Sequence, residues 1–171
     1  MRMPRKGTRT HTSVPLPPQG TGTDTTERLP LPNILRAAVE KAAALAKHDV
    51  SSSGRITPAA LFVYGALTDP EANRTTTVSL HWRDEFQKEA VRRRIRDTAL
   101  LEGACAVVVL NPHDHVLLIT GRTRADTGIT ASVDYLCESD AHVLSRWELE
   151  WRADPVTDFF CDGVFGAAGI F

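Results

Sequence analysis

Apolar positions recur at helical spacing in two stretches of the chain, and they alternate or run together in six others. Ile34 to Lys47 places Leu35, Ala38, Val39, Ala42, Leu45 and Ala46 on one stripe behind Asn33, a good N-cap residue. That stretch predicts an amphipathic, alanine-rich first helix. A second helix is expected from Asp84, whose carboxylate can take the backbone N–H of Gln87 while Gln87 reaches back, a capping-box arrangement. Within it Phe86, Ala90, Ile95, Thr98 and Ala99 recur at helical spacing, with Lys88, Glu89, Arg92, Arg93 and Arg96 mainly on the other side. Glu89 precedes Arg93 by one turn, the favourable order for an ion pair, and Gly103 supplies a left-handed stop.

The strand signals lie between and after these helices. Pro58 opens a strand from Ala59 to Tyr64, and Thr75 to Trp82 alternates Val78, Leu80 and Trp82 against Thr77, Ser79 and His81. Cys105 to Leu110 has no polar interruption, which suits a central strand buried on both faces. Val116 to Thr120 follows a turn at 111–115, and Arg122 to Gly128 reads as a charged loop. In Ile129 to Cys137 and in Val143 to Trp151 the odd positions form the apolar face, so one face of this last hairpin is expected to meet the core and the other water. Equal parity excludes a two-residue loop at Ser139–Asp140. A loop of odd length centred on Asp140 places Val133 opposite Trp147 and Ala131 opposite Leu149, with Asp134 facing Arg146 and Leu136 facing Leu144 outside.

The order is α-β-β-α-β-β-β-β with no repeated βαβ alternation. It predicts an α+β fold: a single domain with a mostly antiparallel sheet of about six strands, with room for strong curvature, and two helices against one face. The domain is expected over 29–155. Met1 to Arg28 is rich in Thr, Pro and Gly, opens with Arg2, Arg5, Lys6 and Arg9, and has almost nothing apolar to bury, so it reads as a disordered basic arm. It has no apolar core of a secretory signal. The tail, 156–171, sets Phe159, Phe160, Val164, Phe165, Ile170 and Phe171 among small residues, and must pack back on the domain or dock on a partner.

Composition narrows the function classes. A chain of 171 residues with 42% hydrophobic content holds one ordinary core. Its formal net charge of −1 disfavours a dedicated nucleic-acid binder, which needs a basic surface for phosphate. No stretch has the uninterrupted apolar length of a membrane span. The three cysteines, Cys105, Cys137 and Cys161, form no CxxC pair and read as free thiols of a reducing cytoplasm.

Candidate chemistry is sparse. There is no Walker loop, GxGxxG, GxSxG or HExxH. His81, Trp82 and Arg83 precede a helix N-terminus, a place that favours anions, although Asp84 already serves as its cap. The run Arg92–Arg93–Arg94 with Arg96 reads as a solvated face paired with Glu85 and Glu89 rather than a phosphate site. Cys105, inside an apolar strand, reads as packing.

One pattern has a familiar spacing. His113-x-His115, seven residues, then Thr123-x-x-Asp126 resembles the H-x-H…S-x-x-D ligand set of the JAMM (MPN-type) zinc peptidases. The preceding order of helix, strand, strand, helix, strand also resembles that family from about Asn33 to Asp126. The resemblance implies a zinc ion on His113, His115 and Asp126 with an open position for water. The chain departs from the pattern at Val116, where the family has proline, at Thr123, where it has serine, and near Pro58, where the family's glutamate base has no counterpart.

The preferred reading is a cytoplasmic, non-catalytic protein without cofactor or metal. It acts by binding a protein partner, or by self-association through the tail. The alternative is a degenerate zinc-dependent hydrolase, and a nucleic-acid-associated protein using the arm and the arginine helix ranks third.

Overall fold

The computed structural model describes residues 33–65, 73–125, 127–135, 147–152 and 157–166. The arm expected over 1–28 lies outside them. Two helices and six strands follow in the order α1 (Asn33–Ser53), β1 (Ala59–Tyr64), β2 (Arg74–Ser79), α2 (Glu85–Leu101), β3 (Ala106–Pro112), β4 (Val116–Thr123), β5 (Gly128–Asp134) and β6 (Glu150–Trp151). The strands make one open antiparallel sheet in the spatial order β2-β1-β3-β4-β5-β6.

The helices do not share a face, contrary to expectation. Ala59, Leu61 and Val63 of β1, with Ala106, Val108 and Leu110 of β3, point into a core covered by α1. Their neighbours Ala60, Phe62 and Tyr64, with Val107 and Val109, point into a second core covered by α2 and the C-terminal segment. Chain connectivity explains the layering. Because β1 lies between β2 and β3, the link through α2 must cross the sheet, and α1 already occupies the other face.

α1 runs six residues past Lys47, to Ser53. Ser51, Ser52 and Ser53 donate from their hydroxyls to the carbonyls of Lys47, His48 and Asp49 at 2.8–2.9 Å, so these turn-favouring residues are satisfied within the helix. Val50 extends the buried stripe, and Gly54 at φ 71 ends it. Leu45, assigned to that stripe by spacing, is exposed.

α2 starts where its cap predicts. Asp84 Oδ1 accepts the Gln87 N–H at 2.7 Å, and Gln87 Oε1 accepts from Arg83 N, one residue before the cap. Its buried side consists of Ile95 and Ala99, with Val91 half-buried, whereas Phe86 and Ala90 face solvent. Phe86 and Ile95 are nine residues apart, roughly two and a half turns, so they lie on opposite faces. The expected stripe joined two different faces into one.

β2 ends at Ser79, earlier than expected. Leu80 N–H still bonds to Pro58 O at 2.7 Å, after which Trp82 leaves the sheet and packs on Phe160 in a tilted pair with ring centroids 5.0 Å apart. β4 continues through Thr123, into what read as a loop. The apolar odd positions of β5 face the α1 core as predicted, but Thr130 and Ser132 on the other face are buried as well.

β6 pairs Ala131 with Trp151 and Ser132 with Glu150. The expected pairing of Ala131 with Leu149, and hence of Val133 with Trp147, is therefore offset by two residues with its parity intact. Arg146, Leu136 and Leu144 lie outside the described residues. The described part of the tail packs back on the domain, where Phe160, Cys161 and Val164 are buried in the second core. Among the described residues, no helix is long and apolar enough to cross a membrane.

Candidate functional site

The histidine pattern is drawn apart by the strand that follows it. His113, Asp114 and His115 are the exposed tip of the β3–β4 hairpin, closed by His113 N–H to Val116 O at 2.8 Å. The hairpin also anchors its neighbour: Tyr135 donates its hydroxyl to His113 O at 2.7 Å. Thr123 sits at the far end of β4, where it pairs with Ala106, while Leu117 near the tip pairs with Pro112. Eight residues of extended chain separate His115 from Thr123, on the order of 26 Å. Asp126 lies outside the described residues. Among the described residues no three His, Cys, Asp or Glu side chains converge as metal donors.

The helix N-terminus beside His81 and Arg83 is occupied by its own cap, Asp84. The arginine run is partly paired as expected: Glu89 contacts Arg92 at 3.7 Å and Arg93 at 3.4 Å, and Lys88 contacts Glu85 at 3.5 Å. Arg92 also donates to Asp162 O at 3.2 Å and, with Lys88, lies over the Phe159 ring, so this side of α2 holds the C-terminal segment. The thiol of Cys161 is buried and donates to Thr120 O, and burial pushes its pKa well up. Cys105, half-buried, is raised by the same cause. In both cases burial favours the protonated thiol over the thiolate.

What the structure assembles, and the linear pattern does not announce, is a trough between β2 and α2. Among the described residues β2 is an outer strand of the sheet, bonded to β1 on one side, and no described strand pairs with its other edge. Its sequence, Arg-Thr-Thr-Thr-Val-Ser, is extended by β-branching and has neither proline nor an inward charge to blunt that edge. α2 runs alongside but rests on the sheet through few side chains, and a cleft of about 240 Å³ remains between them. Its floor is apolar, made by Phe62, Val78, Leu80 and Ile95, and its rim is polar, with His81 and Arg94 prominent. Past Leu80 the cleft opens into a shallower depression of about 520 Å³ bounded by Pro58, Trp82 and Gln87.

A polar clamp closes the other end. Tyr64 donates its hydroxyl to Glu102 Oε2 at 2.5 Å and accepts from Thr76 Oγ1 at 3.3 Å, with Arg74 over its ring. Burial raises the Tyr64 pKa, and the bond to Glu102 adds to the rise, so the phenol stays protonated and keeps α2 tied to β1. No protein-family model matches the sequence, and neither a curated protein nor a solved structure does.

Proposed function

We propose that the chain is a protein-binding module that takes an extended segment of a partner along the outer edge of β2. The partner's backbone would bond to β2 as an added strand, and one large apolar side chain would enter the cleft over Phe62, Val78 and Ile95. The observation that carries this reading is the coincidence of an apolar cleft with a strand edge beside it that no described strand pairs. An open edge alone would invite indiscriminate pairing. A flanking cleft lined by chosen side chains supplies selectivity, since alternate residues of the added strand point into it.

The test is selection from a random-sequence peptide library against the full chain, followed by hydrogen exchange of the selected peptides' complexes. The reading expects peptides with one recurrent large apolar position, new protection of β2 amides, and loss of binding in Val78→Glu. Peptides that bind Val78→Glu as well as the parent, or that protect residues elsewhere, would count against it.

A further inference from the structure

The trough beside β2 is apolar at its floor and cationic along its rim. Exposed Arg94 and His81 line the cleft, and His81 and exposed Arg83 line the depression beyond it. None of the three enters an ion pair among the described residues. The one carboxylate among the described residues lining the two hollows is Glu102, at the closed end. It is already engaged, bonded to Tyr64 with Arg74 over the same ring. The backbone of β2 has a definite outward set as well. Leu80 N–H bonds to Pro58 O, and in an antiparallel pair residues turned towards the neighbouring strand alternate with residues turned away. Thr75, Thr77 and Ser79 therefore direct their N–H and C=O groups to the outer edge, while Val78 and Leu80 direct side chains into the core under α2.

We infer that the segment taken by the trough is acidic, an inference that rests on the strand-addition reading above and names the chemistry of its partner. An apolar residue opposite Val78 enters the cleft. Residues two and four positions further towards the open end lie on the same face, spaced roughly 7 Å apart. They pass Arg94 first and then His81 and Arg83, so carboxylates there meet cations that no described residue neutralises. Every strand pair of this sheet is antiparallel, and an antiparallel partner carries those carboxylates before its apolar residue. A basic segment would bring like charges together along the same rim. A nucleic-acid strand would satisfy the cations but has no alternating N–H and C=O groups to offer Thr75, Thr77 and Ser79.

Three series of fluorescent peptides test this on the full chain. Each has a central leucine or phenylalanine in a Ser/Thr background, with Asp, Asn or Lys at the positions two and four residues before it. At low salt the Asp series should bind about tenfold more tightly than the Lys series, because attractive pairs replace repulsive ones, and the gap should narrow at high salt. Arg94→Glu, an exposed change whose fold circular dichroism checks, should weaken the Asp peptides and strengthen the Lys peptides. Hydrogen exchange of the complexes should protect the amides of Thr75, Thr77 and Ser79. Protection of those amides without preference for Asp, or with a preference unchanged in Arg94→Glu, overturns the acidic class and leaves strand addition intact. Binding without that protection, or no binding by any series, overturns strand addition and this inference with it. A random-sequence single-stranded oligonucleotide that binds more tightly than the Asp peptides and displaces them would assign the cations to phosphate and overturn the inference.

Discussion

Tyr64, the last residue of β1, donates its hydroxyl to the C-capping residue of α2, Glu102, at 2.5 Å. That bond spans the two layers at the closed end of the cleft. It matters because α2 otherwise holds to the sheet mainly through Ile95 and Ala99.

Tyr64→Phe is therefore expected to cost about 1 kcal/mol at neutral pH, less than is usual for a bond to a charged acceptor because Glu102 is solvent-exposed. The pH dependence has a definite sign. Burial, then Glu102, raises the phenol's pKa in the folded chain. Its contribution is complete below the ordinary phenol value of about 10 and is lost as the pH rises through the higher folded value. Urea midpoints measured from neutral to alkaline pH should fall less steeply above that point in Tyr64→Phe than in the parent. Parallel curves would show that the phenol carries none of the dependence.

Asp158 organises the turn that seats the C-terminal segment. Its buried carboxylate accepts Phe160 N–H at 2.9 Å and Cys161 N–H at 3.0 Å through Oδ1, and Asn111 Nδ2 at 3.4 Å through Oδ2. Asp158→Ala leaves two buried donors without an acceptor and should destabilise by about 2–3 kcal/mol. Equilibrium urea unfolding gives the value, and a loss below the error of the measurement would remove this carboxylate from the account of the fold.

Cys161 reports on the same seat. With its thiol fully buried and its pKa raised by burial, it should resist iodoacetamide in native protein at mildly alkaline pH and react at once in urea. Peptide-resolved mass spectrometry separates it from the other cysteines. Rapid native labelling at Cys161 would mean that the segment leaves the sheet readily.

Gly121 lies where β4 packs against Leu35 of α1. A Cβ there would lie 3.0 Å from Leu35 Cδ2, 3.2 Å from Ile129 Cγ2 and 3.3 Å from Val108 Cγ2. All three neighbours are buried, so Gly121→Ala should overpack the first core at a cost of about 1–3 kcal/mol. A thermal midpoint equal to that of the parent would show that α1 shifts outward freely.

Local chemistry was legible in the residues themselves. Asp84 and Gln87 cap a helix because three-residue spacing brings a carboxylate to a free N–H, and Gly103 ends it at φ 72 because only glycine takes that backbone without strain. β1, with its residues buried on both faces, matched its expected bounds, and the element order α-β-β-α-β-β-β-β followed from where helical and strand periods alternate.

What needed the tertiary structure was everything that depends on which strand lies beside which. Alternation sets the parity of a strand pair but not its register, because a slip of two residues returns every side chain to the same face; hence Ala131 meets Trp151 rather than Leu149. The position of β2 at the edge, and with it the trough, depends on β1 sitting between β2 and β3, a long-range pairing invisible in Arg74–Ser79. The apolar content of the tail announced burial, but only packing chose its site, with Phe160 against Trp82 and Cys161 against Thr120. The histidine pattern shows the converse: His115 and Thr123 are eight residues apart in sequence, and the extended β4 between them puts them at opposite ends of the sheet. Sequence spacing becomes distance only once the conformation between two residues is known.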